Sequence, residues 1–271
     1  MKLRHLAAAG CLLAAPFVLL APGQAPESKK APFLGRNFAH RGLHSEDQSV
    51  PENSLKAFAL AAEAGYGMEL DVQLSRDGQV VVFHDDTLDR ACGVAARVDG
   101  LDLAELRKLP LFGTEERIPL FSEVLTLVGG RTPLIVELKT GPRNDELCEK
   151  TWALLRKYPG AYCVESFNPF IVRWFRLHAP TVLRGQLAQL PEEYVRGGRK
   201  MAEGILLGNT LLNAAARPQF IAYRIGPKPG AVRFAEALGA MSFGWTSHSR
   251  DSEAGRDAVI FEYYRPELRY K

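Results

Sequence analysis

Short apolar runs alternate with longer amphipathic stretches from about residue 36 to the end of the chain. Parallel strands joined by crossover helices leave this pattern. The runs predicted as strands are 37–40, 67–72, 134–138, 162–167, 182–186, 220–224, 241–245 and 257–261, eight in all. A further run at 80–84 follows the second strand too closely for a parallel neighbour, which needs a crossover of about a dozen residues or more. It is therefore expected to return antiparallel, as a hairpin around Asp77-Gly78. Between strands, Leu55, Phe58, Ala59 and Ala62 give one apolar helical face over 54–64, with Asn53 as the expected cap and Gly65 as the stop. A second helix is expected over 145–158. The fold predicted is α/β, a (β/α)8 TIM barrel. The charged, leucine-bearing stretch 87–121 reads as a small insertion over one end, after the hairpin.

Length and composition agree with one large domain. The 271 residues suit a single barrel, which takes about 250. The expected division is 1–35 as leader and linker and 36–271 as barrel. A net charge of +3, with no Lys/Arg run longer than a pair, sets nucleic-acid binding aside. Cys11, Cys92, Cys148 and Cys163 show no C-x-x-C spacing and are read as free, packed thiols. The leader is different in kind: Lys2, Arg4 and His5 precede an apolar stretch over 6–21. It fits a signal peptide cleaved near Gly23-Gln24-Ala25, or an uncleaved anchor kinked at Pro16. Either predicts export or membrane association. Basic residues flank both ends, so the side of the membrane stays open.

Candidate chemistry follows from the barrel, whose active site lies at the carboxyl ends of its strands. Residues i and i+2 on a strand share a face, so Glu69 and Asp71 point together, as do Glu137 and Lys139. Carboxylates crowded at one mouth need a cation among them, and oxygen ligands suit a hard divalent ion. Plain salt bridges, Glu137 with Lys139 and Asp71 with Arg41, are the structural alternative. His40 and His84 each follow an apolar run, should emerge at the same rim, and suit proton transfer near neutrality. His5, His44 and His178 are read as solvated loop residues or satisfied core residues, and His248, shortly after Trp245, could reach the mouth.

Ala-His-Arg-Gly at 39–42, Pro-Glu-Asn-Ser at 51–54, Glu-Leu-Asp-Val at 69–72, Val-Val-Phe-His-Asp at 81–85 and Val-Glu-Leu-Lys at 136–139 stand in order along the chain. Together with Glu-Ser-Phe at 165–167 and Trp-Thr at 245–246, they resemble the glycerophosphodiester phosphodiesterase family. The resemblance implies metal-dependent hydrolysis of a small-molecule glycerophosphodiester to glycerol phosphate and an alcohol. It implies His40 and His84 as the acid/base pair, and Glu69, Asp71 and Glu137 as ligands of one divalent cation, calcium or magnesium. Arg41 and Lys139 would contact phosphate, Phe167 and Trp245 would line the apolar side of the pocket, and Glu52 would support the site. Two departures stand out: a long loop over 43–50, and a final strand ending Phe261-Glu262-Tyr263. The alternatives are a phospholipase D-like or C-like enzyme acting on membrane (lyso)phospholipids, and a barrel that only binds phosphorylated ligands. An amidohydrolase barrel is disfavoured because Arg41-Gly42, not x-His, follows His40. Oligomeric state is not legible.

Overall fold

The computed structural model describes residues 17–271. Eight parallel strands close a barrel: β1 (Arg36–Ala39), β2 (Gly67–Leu74), β4 (Leu134–Leu138), β5 (Tyr162–Ser166), β6 (Leu183–Ala188), β7 (Phe220–Arg224), β8 (Met241–Ser247) and β9 (Ala258–Phe261). Closure comes at β1, where Phe38 is in register with Gly67 of β2 on one side and Ile260 of β9 on the other. The intervening β3 (Val80–Val82) returns antiparallel along β2, with Val82 opposite Val72. That is the hairpin the short spacing demanded.

Two-residue alternation divides each strand between two environments. Met68, Leu70 and Val72 of β2 join the layer beneath the helices, packed with Phe58, Phe121 and Val124. A second cluster fills the interior with Phe38, Ile135, Cys163, Phe220 and Phe243. Phe33, from the segment before β1, stacks on Phe38 at 5.8 Å and closes the amino-terminal end. Burying such a ring contributes roughly 1.5–3 kcal/mol.

The helices that position the site are α1 (Leu55–Glu63), α2 (Phe121–Val128), α3 (Asn144–Leu155), α4 (Pro169–His178), α5 (Pro191–Arg196), α6 (Met201–Gly208) and α7 (Gly230–Ala237). Asn53, the expected cap of α1, does not cap it. The Ser54 hydroxyl, one residue nearer the helix, accepts from the Ala57 N–H at 3.1 Å. Asn53 sits instead at φ +54° and donates its amide to Asp71 at 2.8 Å. The helix expected to reach 158 ends at Leu155, four residues before Pro159-Gly160. The insertion over 87–121 forms its own small core of Leu88, Val98, Leu106 and Ile118 beneath short helical turns, including Asp89–Cys92. Cys148 and Cys163 are buried and free, and Cys92 is free and partly exposed. Cys11 lies outside the described residues.

Of the apolar leader, residues 1–16 lie outside the description and 17–25 lie against the barrel. Leu20 is buried with Ile221, Tyr223 and Val232. The Ala21 carbonyl accepts from Arg217, the Gly23 N–H donates to Pro218 and the Gln24 carbonyl accepts from Gln219. No helix of the described residues is long and apolar enough to cross a membrane.

Candidate active site

Register brings the acidic residues together. Asp71, Glu137 and Glu165 lie side by side across β2, β4 and β5, and Glu69 sits one step below Asp71 on the same face. One carboxylate oxygen from each of Glu69, Asp71 and Glu137 lies within 4.8 Å of the others. All four residues are buried. Buried charge is costly unless paired, and the pairing here is partial. Lys139 Nζ lies 3.0 Å from Glu137 and 3.3 Å from Asp71, and Arg41 Nε lies 3.6 Å from Asp71. Both salt bridges considered from the sequence therefore form. Burial would raise Asp71, but Lys139, His84 and Arg41 hold it well below the usual carboxylate range. Burial and the neighbouring carboxylates push Glu69 and Glu165 well above that range, and Glu137 is raised despite Lys139. One lysine and one arginine thus leave carboxylate charge over, and Glu165 Oε2 has no hydrogen-bond partner. The donor set, all oxygen and converging, fits a hard divalent cation. Sequence reasoning quoted Glu165 only within the Glu-Ser-Phe run at 165–167 and gave it no role; that run was the signal available, and the pairing of Glu137 with Glu165 places it beside the cluster.

The first histidine is set by an unusual turn. Arg41 has φ +52° and Gly42 φ +78°, a left-handed pair that ends β1 and sends the chain outward. A side chain at Gly42 would meet the Ala57 backbone at 2.9 Å, so this position needs both the φ and the missing Cβ. The turn points the Arg41 N–H at Glu69 (3.0 Å) and its guanidinium at Glu52 (2.7 Å). His40 Nδ1 lies 2.7 Å from Glu262, and its Nε2 faces Glu69 at 4.0 Å. Burial, with Arg41 nearby, lowers His40 to about 4 although Glu262 pulls the other way. The imidazole is therefore neutral at neutral pH. With a carboxylate on Nδ1, the proton sits there and Nε2 is left as an acceptor.

His84, beyond the end of β3, repeats the device: its Nδ1 lies 2.6 Å from Asp85. Asp85 accepts from Arg90 Nε at 2.6 Å, and the other two nitrogens of Arg90 hold Glu52 at 3.1 and 2.7 Å. One arginine of the insertion thus ties the partner of His84 to the partner of Arg41. Arg90 was not singled out from the sequence, and Glu262 stood there only as part of a departing strand end, with no role. Neither carries a motif signal, because each acts through a neighbour distant along the chain.

On the apolar side, Phe167 and Trp245 meet edge to face at 5.5 Å, and the Trp245 indole donates to the Ala222 carbonyl. His178 lies exposed on α4 against Trp174. His44 is buried, as the core alternative has it, but its Nε2 is not satisfied: it has no hydrogen-bond partner and lies 3.5 Å from Glu262. His248 reaches the same carboxylate at 3.8 Å.

The barrel mouth thus joins a carboxylate cluster to two histidine–carboxylate pairs, an arrangement suited to proton transfer beside a bound cation. Residues 40–262 match the model of the Glycerophosphoryl diester phosphodiesterase family, and the chain belongs to that family. It is 37% identical over 162 residues to a glycerophosphodiester phosphodiesterase of Caldanaerobacter subterraneus subsp. tengcongensis, covering 56% of this chain and 65% of the relative. It is 34% identical over 163 residues to the human lysophospholipase D GDPD1, covering 55% of this chain and 50% of that protein. The match therefore spans roughly half to two thirds of these relatives' own lengths. Among solved structures, an Oleispira antarctica phosphodiesterase in complex with the product sn-glycerol-3-phosphate superposes with a TM-score of 0.69 at 25% identity, covering 86% of this chain and 94% of the other.

Proposed function

We propose that the chain hydrolyses glycerophosphodiesters to glycerol phosphate and an alcohol. The observation that carries this reading is the pair of histidines, each held through Nδ1 by a carboxylate, beside a cluster of buried carboxylates. Glu69, Asp71 and Glu137 would hold a divalent cation, calcium or magnesium, which when bound supplies positive charge against the phosphodiester oxygens. Arg41 and Lys139 bind the same phosphate, with Glu52 fixing the Arg41 fork. His40, neutral to about pH 4, takes the proton of the attacking hydroxyl on Nε2. His84 then gives a proton to the departing alcohol. By family likeness the attacker is the glycerol's own 2-hydroxyl, and water opens the resulting cyclic phosphate with the proton movements reversed.

The test compares an alkyl glycerophosphodiester with a nitrophenyl one, whose leaving group needs no proton. His40→Ala should abolish turnover of both, whereas His84→Ala should lose far more on the alkyl substrate. Near-native turnover by both variants on the alkyl substrate would refute the assignment.

A lysophospholipid substrate is a second reading, favoured by a cleft of about 290 Å³ beside the mouth, lined by Phe167, Phe170, Tyr194, Leu206 and Leu212. Helix α6 rims it with its polarity inverted. Gly204 and Gly208 face inward so tightly that a Cβ would meet the backbone at Pro191 and Gln189 at 2.7 and 2.8 Å, while Met201, Ile205 and Leu206 are exposed. An acyl chain is a suitable cover for that face. Turnover of glycerophosphocholine without any turnover of lysophosphatidylcholine would rule this reading out. We also propose that the amino-terminal segment is retained and holds the barrel at a membrane.

A further inference from the structure

The two departures from the family pattern meet in space. The long loop over 43–50 carries His44, the altered strand end carries Glu262, and His40 lies between them. His40 Nδ1, His44 Nε2 and Glu262 offer ligand atoms within 4.8 Å of one another, and His248 Nε2 stands 3.8 Å from the second oxygen of Glu262. Three imidazoles thus converge on one carboxylate, two from the turn after β1 and one from the end of β8. His44 is the telling member. Its side chain is only 2% exposed and its Nε2 has no hydrogen-bond partner. A buried ring nitrogen is ordinarily satisfied; this one faces Glu262 at 3.5 Å, beyond a good hydrogen bond. Tyr263, with φ +65°, packs between the His44 and His248 rings at 5.2 and 5.9 Å and holds them on either side of Glu262.

We propose that His40, His44 and Glu262 form a second metal site, for zinc or a similar imidazole-seeking divalent ion, separate from the all-oxygen cluster, with the exposed His248 closing on the ion as the fourth ligand. Zinc bonds of about 2.0–2.1 Å in a tetrahedron place neighbouring ligand atoms about 3.3 Å apart. The His44 contact to Glu262, 3.5 Å, needs only small closure, the 2.7 Å His40 contact opens as its proton leaves, and the exposed His248 side chain, 3.8 Å from the other Glu262 oxygen, has to swing in to complete the set. Imidazole nitrogens select zinc, copper or nickel, whereas calcium and magnesium prefer the carboxylates. Occupancy has a consequence that rests on the reading of His40 as a base: a cation on Nδ1 withdraws charge from the ring, and Nε2 can no longer take a proton. The site therefore acts as a brake on turnover.

The experiment uses the full chain in excess magnesium, which keeps the carboxylate cluster filled, with cobalt(II) as the spectroscopic probe and zinc as the inhibitor. The expected result is visible absorption of a four-coordinate cobalt site and suppression of glycerophosphodiester turnover by zinc. His44→Gln and the exposed His248→Gln should each weaken cobalt binding and zinc inhibition about 10–100-fold or more, with basal turnover unchanged. Absorption and inhibition identical in both variants, or inhibition relieved by more magnesium, would overturn the proposal by placing the ion on the carboxylates. A cobalt signal that needs His44 without any inhibition by zinc would uphold the metal site and remove the base role of His40 instead.

Discussion

Arg90 offers the sharpest check on how the site is held together, because it touches no substrate-binding group except through others. Its three nitrogens bond Asp85 once and Glu52 twice, at 2.6, 3.1 and 2.7 Å. Arg90→Ala leaves Glu52, 8% exposed at its side chain, with Arg41 alone, and leaves Asp85 with His84 alone. A hydrogen bond to a charged group contributes about 1.5–3 kcal/mol, but Arg90 is 47% exposed, so solvent screening reduces the joint effect to about 1–2 kcal/mol. If that energy orients His84 and Arg41 for the transition state, kcat falls about 5–30-fold with little change in KM. Arg90→Lys should recover little, since an ammonium cannot span both carboxylates. The assay is steady-state kinetics on glycerophosphocholine for Arg90→Ala, Asp85→Asn and the double variant. The two losses should overlap instead of multiplying, because both pass through His84. A kcat within twofold of the parent, or fully multiplicative losses, would refute this coupling.

Chelation should abolish turnover and added calcium or magnesium should restore it. The accompanying rise in melting temperature should grow from pH 5.5 to 8. The raised folded-state values of Glu69 and Glu137 mean that the metal-free protein loses stability as pH rises through them, and a cation offsets that loss; a pH-independent rise would count against the cluster as ligand set. Lys139→Ala should cut turnover far more than stability, as read by melting in the presence of the cation; loss of fold with unchanged specific activity would make Lys139 a structural ion pair. Gly42→Ala should cost about 1–3 kcal/mol in urea unfolding, from a Cβ at φ +78° meeting the Ala57 backbone, and an unperturbed midpoint would contradict the left-handed turn at the end of β1.

The barrel was legible because its signal is local and repeated. Val-Glu-Leu-Lys on β4 declares an inward Glu137 and an outward Val136 and Leu138 through period two alone, and the short spacing before Val80 forces a hairpin. Site residues on such strands could be named with their direction. What stayed hidden depended on contacts between distant segments. Asn53 looked like a cap because the competing use, Asp71 eighteen residues away, cannot be seen from spacing. Glu262 looked like a departure until it was found on His40, 222 residues earlier. His44 looked ordinary because burial of a loop side chain depends on what folds over it, here Tyr263 and Glu262.

The amino-terminal segment brings the same lesson to localisation. A cut near Gly23-Gln24-Ala25 would remove Leu20, which is 6% exposed against Ile221, Tyr223 and Val232, together with the hydrogen bonds from Arg217 and to Pro218. Burying one leucine contributes about 1.5–3 kcal/mol, and a domain of this size loses roughly 2–4 °C of melting temperature per kcal/mol. A chain lacking residues 1–16 should therefore melt with the full chain, whereas one lacking 1–30 should melt several degrees lower while still turning over water-soluble substrate. Equal melting of the two truncations would mean that the contacts of residues 17–25 are incidental, and would reopen cleavage. If the difference is found, the barrel favours keeping its leader. The full chain should then sediment with membranes and resist high-salt extraction, because an apolar anchor is not held by charge. A mature protein beginning near Pro26 in a soluble exported fraction would defeat the anchor.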